Sequence, residues 1–301
     1  MSDANEAPWS LTLSEVGKRL ESLRENRDLT QVTVVRLLGE RGIKTDSSAL
    51  SRIESGKRRT VPRELVEALM DCYQADVRSR EQILDLLSVD ATPAGRRRRP
   101  ALWRRHAALL GPMNFEGYLE QEPRASLLRN YEPELVPGPL QGERYALHAI
   151  ARMRPELKPA AVQGLVDVRM DRQRKIADGA LREFHALIEE GALRRIVGDQ
   201  SVMRDQLEHL VRAEEDPQNS IRILPTSVGC HPGLAGAFML MSFPEANRDV
   251  VWVETMNRSV YFEEEEDVDR YTEVFIDLWG RALDSATTRV RLKEMIKELS
   301  Q

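Results

Sequence analysis

The sequence predicts a mainly α chain: an N-terminal bundle of five short helices, then a larger α+β domain with an antiparallel sheet. Three observations predict it. Apolar residues recur every three to four positions through residues 12–87. A Pro- and Gly-punctuated run of arginines, ATPAGRRRRP, interrupts that pattern at residues 91–100. Beyond it, short β-prone runs alternate with helical ones, and a chain of 301 residues is long enough to hold two cores. The expected division is a bundle over 1–90, a basic linker with a short amphipathic helix over 91–112, and the α+β domain over 113–301.

Taken in order, TLSEVGKRLESLREN (12–26) places Val16, Leu20 and Leu23 on one face after Thr12 or Ser14 as cap. A second helix begins with Thr30 as N-cap, turns Val34, Val35 and Leu38 inward, and is expected to stop at Gly39. Its β-branched run Val32–Val35 weakens intrinsic helicity, so packing must hold it. The third helix lies in TDSSALSRIESGKRR (45–59). Thr45 or Asp46 caps it, Leu50 and Ile53 form its apolar face, and Ser55-Gly56 supplies a left-handed stop. Its other face carries Ser47, Ser48, Ser51 and Arg52, and Lys57, Arg58 and Arg59 follow at once. Pro62 opens a fourth helix with Leu65, Val66, Leu69 and Cys72 as its stripe, and Arg78–Leu87 is the fifth.

The net charge of -5 conceals a division. Residues 1–110 carry 20 Lys+Arg against 16 Asp+Glu, a surplus of +4, and the remainder is -9. Between Arg41 and Arg63 there are seven basic and two acidic residues, so an acidic chain can still gather positive charge in one place. No apolar run approaches the roughly 20 residues that span a bilayer, and MSDANEAPWS lacks the pattern of a signal peptide. A cytoplasmic location and no membrane contact are expected. Cys72 and Cys230 are far apart and lack CxxC spacing, so neither a disulfide framework nor a zinc site is expected.

In the linker, Arg96–Arg99 read either as a solvated hinge or as salt-sensitive phosphate contacts, and Leu102–Leu110 with Trp103 as an amphipathic helix. Asn114–Gln121 is expected to be helical, Ala125–Tyr131 a strand, and the prolines after Glu132 a rigid loop. Helices are expected at Gln141–Met153, Pro159–Ala177 and Ser201–Ala213. Strands follow at Ser220–Leu224, Ala237–Phe243, Val250–Glu254 and Ser259–Phe262. Val268–Leu283 and Thr287–Leu299 close the chain as helices, and the acids Glu263–Asp267 suit the positive end of the first.

LTQVTVVRLLG followed by SALSRIESGKRR resembles the helix-turn-helix domain of phage-repressor and Cro-like (XRE-type) transcriptional regulators. That resemblance makes the third helix the recognition helix of a double-stranded DNA operator. It implies Ser47, Ser48 and Arg52 as base contacts and Gln31, Lys57, Arg58 and Arg59 as phosphate contacts. A homodimer on paired half-sites is expected, because that is how a single recognition helix gains enough specificity. Val35 stands where the family usually has alanine, and the turn Glu40–Lys44 is about two residues longer than the common form. YEPELVPGPLQ, LRRIVG, GCHPGLAGAFMLMSFP and VYFEEEEDVDRYTEVF resemble the C-terminal domain of WhiJ-like and antitoxin-like regulators, many of them paired with a small protein encoded nearby.

The expected ligand or partner surface comprises Tyr131, Glu132, Glu134, His231, Trp252, Glu254 and Tyr261. Its signal is either a small neighbour-encoded protein or a small molecule. Cys230 beside His231 suggests a nucleophile, but neighbours in sequence rarely point at each other, so no enzymatic activity is expected. No strand-GxGxxG-helix or P-loop occurs, and no metal or cofactor is expected.

Overall fold

The computed structural model describes residues 11–56, 61–91, 105–106, 118–119, 121–179, 181–243, 248–255 and 259–299. Lys57–Arg59, Arg96–Arg99, Trp103 and most of the segments expected to be helical at 102–110 and 114–121 lie outside the described residues. The chain forms two compact units, Met1–Arg104 and Arg105–Gln301.

The first unit contains α1 (Leu11–Glu25), α2 (Gln31–Glu40), α3 (Ser47–Glu54), α4 (Arg63–Cys72) and α5 (Val77–Ala91). Thr30 caps α2 by accepting from the Thr33 N–H, and Asp46 caps α3 by accepting from Ala49 N–H at 2.7 Å. Gly39 does not stop α2. The helix runs on to Glu40, and Gly42, at φ +78°, reverses the chain so that Ile43 N–H reaches the Leu38 carbonyl at 2.9 Å. This is the six-to-one closure that a left-handed glycine permits, and it ties Ile43 onto the core. Val16, Leu20, Val34, Leu38, Leu50, Ile53, Val66, Leu69, Ile83 and Leu87 close one apolar core. Burying an aliphatic side chain stabilises by about 1.5–3 kcal/mol, so Leu50 and Ile53 anchor α3 from its inner side. At Gly17 a Cβ would lie 2.3 Å from the Glu54 carbonyl oxygen, so α1 can pass against the end of α3 only through a residue without a side chain.

The second unit contains β1 (Leu127–Glu132), α6 (Glu143–Met153), α7 (Pro159–Ala177), β2 (Glu183–Glu189), α8 (Glu190–Arg194), α9 (Gln200–Ala213) and β3 (Asn219–Leu224). It continues with β4 (Phe238–Phe243), β5 (Arg248–Glu254), β6 (Ser259–Phe262), α10 (Glu265–Arg281) and α11 (Ser285–Glu298). The α+β class is as expected, but the six-stranded sheet, ordered β3-β2-β1-β4-β5-β6, is mixed. Only the half from β1 through β6 is antiparallel, while β1, β2 and β3 run parallel. The reason is β2, which no alternating pattern in the sequence announces. Its nearly continuous burial hides a period of two, as in strands covered on both faces. With β2 in place, the helices on either side of it become crossovers between parallel strands.

Tyr131, Leu187, Phe238, Leu240 and Val251 pack with Phe275 and Leu278 of α10. By strand alternation Asn130, Glu132, Met239, Trp252 and Glu254 point to the opposite face. The outer edge of β3 is closed by α11 and the residue leading into it: Ile223 N–H donates to Thr288 Oγ1 at 3.1 Å, and its carbonyl accepts from Leu283 N–H, just before the helix, at 2.9 Å. Three acids, Glu265, Glu266 and Asp267, occupy the first turn of α10, where the helix dipole favours them.

Candidate nucleic-acid interface and interior polar sites

The outer face of α3 follows from its inner one. With Leu50, Ile53 and Glu54 buried, helical spacing leaves Ser48, Ser51 and Arg52 exposed and Ser47 half-buried. Arg52 rests on the Ser48 carbonyl, 3.3 Å from its Nε, and its guanidinium can swing outward at little cost. Lys57, Arg58 and Arg59 continue in sequence beyond the described end of α3.

Glu54 holds this face in place and went unread in the sequence. It is 2% exposed and receives Arg24 in a two-pronged contact, Nε to Oε1 at 2.8 Å and Nη2 to Oε2 at 3.1 Å. Gln31 Nε2 donates to the same carboxylate at 2.7 Å, Tyr73 Oη approaches it at 3.5 Å, and Arg24 also reaches the Leu29 carbonyl. Hydrogen bonding to Glu54 raises the Arg24 pKa, while burial, helped by Glu54, pushes the Tyr73 phenol far above its usual range. One carboxylate thus ties α1, the first residue of α2, the end of α3 and the end of α4. The signal was in the sequence, since Glu54 continues the buried column of Leu50 and Ile53 and a charge there requires a partner. Gln31 keeps a second N–H beyond the one given to Glu54.

In the second unit the expected surface residues separate onto two faces of the sheet. On the α10 face, Tyr131 is fully buried, so it is an interior group rather than a surface one. Its hydroxyl donates to Glu189 Oε1 at 2.9 Å, and the same oxygen lies 3.0 Å from His231 Nε2. The carboxylate that sequence spacing could not give His231 is therefore Glu189, at the end of β2. Cys230 is exposed. Glu134 sits apart on the surface, paired with Arg195 at 2.8 Å.

The opposite face collects Glu132, Trp252, Glu254 and Tyr261, with partners from α7 and from residues just before β1. Arg172 is buried, with Nη2 donating to Glu122 Oε1 at 2.7 Å and to Tyr118 Oη at 2.8 Å, and its Nε also donates to Glu122. The Tyr118 hydroxyl donates to Glu122 as well, and its ring lies 4.2 Å from that of Trp252. Burial works against the Arg172 charge, but Glu122 and Tyr118 outweigh it and the pKa is raised. Arg172 continues the buried column Val168–Ile176 of α7, a charge on a core stripe that the sequence displays.

Beside this closed trio three charges stand differently. Glu132 ends β1, Glu254 ends β5 and Arg169 lies one turn before Arg172. Burial pushes the Glu132 carboxyl up to about 7, opposed by the Asn130 hydrogen bond and reinforced by Glu254. Burial likewise raises Glu254 and, with Arg172 nearby, brings Arg169 down to about 10. Yet Glu132 and Arg169 are only half-buried and Glu254 is exposed. All three are thus crowded by protein while solvent still reaches them.

The helix-turn-helix domain family matches residues 15–83, and this supports a DNA-binding regulator. A second family, described as a domain of unknown function (DUF5753), matches residues 115–294. No curated protein and no solved structure matches the chain. No helix among the described residues is long and apolar enough to cross a membrane. Since the DUF5753 match covers more than half of its length, the chain belongs to that family, with a helix-turn-helix domain preceding the shared region.

Proposed function

We propose that the chain is a sequence-specific transcriptional regulator that binds its operator as a homodimer, with α3 in the major groove. The carrying observation is the outer face of α3, where Ser48 and Arg52 stand exposed over an inner face fixed by Leu50, Ile53 and Glu54. Arg52 pairs with a guanine edge, and Ser47 and Ser48 hydrogen-bond to neighbouring bases with weaker discrimination. Gln31, Lys57, Arg58 and Arg59 hold phosphates. One arginine per recognition helix specifies too little sequence, and a second copy on a paired half-site supplies the rest. The test is binding of the full chain to genomic fragments against excess random duplex at moderate salt. A discrete set of fragments should survive the competitor; equal competition on every fragment would sink the reading.

In this proposal the second unit receives the signal through a small-molecule ligand, and no catalytic step is involved. The three charges Glu132, Arg169 and Glu254, crowded by protein on one face of the sheet and not paired with one another, support that reading. A second reading, a small neighbour-encoded protein as in antitoxin-like pairs, is favoured by one observation. Leu234, in the Pro232–Ala235 turn, is 58% exposed, and Ile276 on α10, the helix that packs against this turn, is 62% exposed. Co-purification of the native chain with the product of an adjacent gene, lost on Leu234→Asp, would support the second reading. Recovery of the chain alone would count against it.

A further inference from the structure

We propose that Glu132, Glu254 and Arg169 together bind a small organic cation, an ammonium group with a hydrogen-bond acceptor on the neighbouring carbon. The proposal rests on the reading of the second unit as a ligand receiver and names the ligand class. Three separate elements deliver these groups to one face of the sheet: β1 brings Glu132, β5 brings Glu254, and α7 brings Arg169. Each is close enough to influence the others electrostatically, yet among the described residues neither carboxylate forms an ion pair with Arg169. Arg169 is instead turned to Gln141 Oε1 at 2.5 Å, and among the described residues Glu132 accepts a long 3.4 Å contact from Asn130. Opposite charges crowded by protein attract more strongly than in bulk water, and holding them apart leaves room for a third party.

An independent observation lies across the strand pair. Ser259 faces Glu254 in register on β6, so the two side chains share one face. The serine is 6% exposed, and its Oγ has no hydrogen-bond partner among the described residues. One step along the same strands, Trp252 faces Tyr261 and supplies an aromatic wall.

The charge count selects the ligand. Arg172 is taken by Glu122 and Tyr118, and Arg154, which also acts on Glu254, is paired with Glu156 at 2.6 Å, so with those pairs set aside two carboxylates face one guanidinium and the site is one negative charge in excess when all are ionised. An ammonium satisfies Glu132 and Glu254, and an acceptor beside it satisfies Arg169. A metal ion is disfavoured, because Arg169 stands among the carboxylates and no group of three metal-binding side chains occurs among the described residues.

The test uses the full chain and two amino alcohols, ethanolamine and 2-amino-1-phenylethanol, in thermal-shift titrations, with N-acetylethanolamine and acetate as controls. Both amines should raise the unfolding temperature with increasing concentration, and the uncharged and anionic controls should not. The groups facing Glu132 are Glu254 from β5, Arg169 and Arg172 from α7, and Tyr145 from α6, so its carboxyl is the one that titrates near neutrality. Amine affinity should therefore be about tenfold lower at pH 6 than at pH 8. Glu132→Gln and Glu254→Gln should each abolish the amine-induced shift while raising the unfolding temperature of the ligand-free chain. A shift with N-acetylethanolamine or acetate, no shift with either amine at millimolar concentration, or Gln variants that melt lower than the parent would each overturn the proposal. Operator titrations with and without ethanolamine separate it from the reading beneath it. Amine binding with unchanged DNA affinity leaves the site standing and removes the signal role. DNA binding without any amine effect on melting does the reverse.

Discussion

Both units bury an arginine–glutamate–tyrosine trio, and what surrounds each differs. In the bundle, Arg24, Glu54 and Tyr73 are joined by Gln31, and the cluster is spent on geometry by locking α3 against α1, α2 and α4. In the sheet unit, Arg172, Glu122 and Tyr118 close an equivalent trio, but Glu132, Glu254 and Arg169 beside it stay unpaired with one another. A fully paired buried cluster fixes a shape. One left open at its border is poised for something else.

Breaking either trio should have the largest effect. Glu54→Ala or Glu122→Ala leaves an arginine buried without its carboxylate and should cost about 3–5 kcal/mol, lowering one of the two calorimetric transitions in each case. Replacing both members by apolar residues of similar volume should restore much of that stability. The two trios part on DNA binding, which Arg24→Met with Glu54→Leu should weaken and Arg172→Met with Glu122→Leu should leave unchanged. Next in size, Arg52→Ala should remove about 1–3 kcal/mol of discrimination between operator and mismatched duplex, read by competition binding. Arg58→Ala should instead weaken all duplexes alike and reduce the salt slope by about 1.

The open border predicts a pH signature. Glu132 has its pKa raised from 4.5 to about 7, so between those values the folded chain holds a proton that the unfolded chain has released. Stability from this group is present below that window and lost as pH rises through it. Glu132→Gln should thus stabilise by about 1 kcal/mol or more at pH 8 and have little effect at pH 4, measured by urea denaturation. Smallest of all, Asp46→Ala removes the α3 cap and should cost about 1 kcal/mol.

Local chemistry made the first unit readable. The caps Thr30 and Asp46 and the apolar stripes of α2 through α4 depend on spacings of three or four residues, and the chain itself displays them. The stop of α2 was misplaced because Gly39 and Gly42 look alike in sequence and only φ separates them. In the second unit the helices and antiparallel strands were visible, but the parallel half was not, since β2 is buried without alternation. Glu132, Trp252, Glu254 and Tyr261 are each legible in the sequence, one at a time. Their meeting with Arg169 depends on pairings across the sheet that no local pattern encodes, and a buried arginine on α7 was the one clue left in the sequence.

The most direct measurement is selection of bound duplexes from a random pool by the full-length chain, run in parallel with the Arg52→Ala variant. The parent should enrich a two-fold symmetric pair of half-sites about 10 base pairs apart, or a multiple of that, and the variant should lose one G·C pair from each half-site. No enriched sequence, or an identical motif from both proteins, would contradict the claim that α3 reads DNA through Arg52.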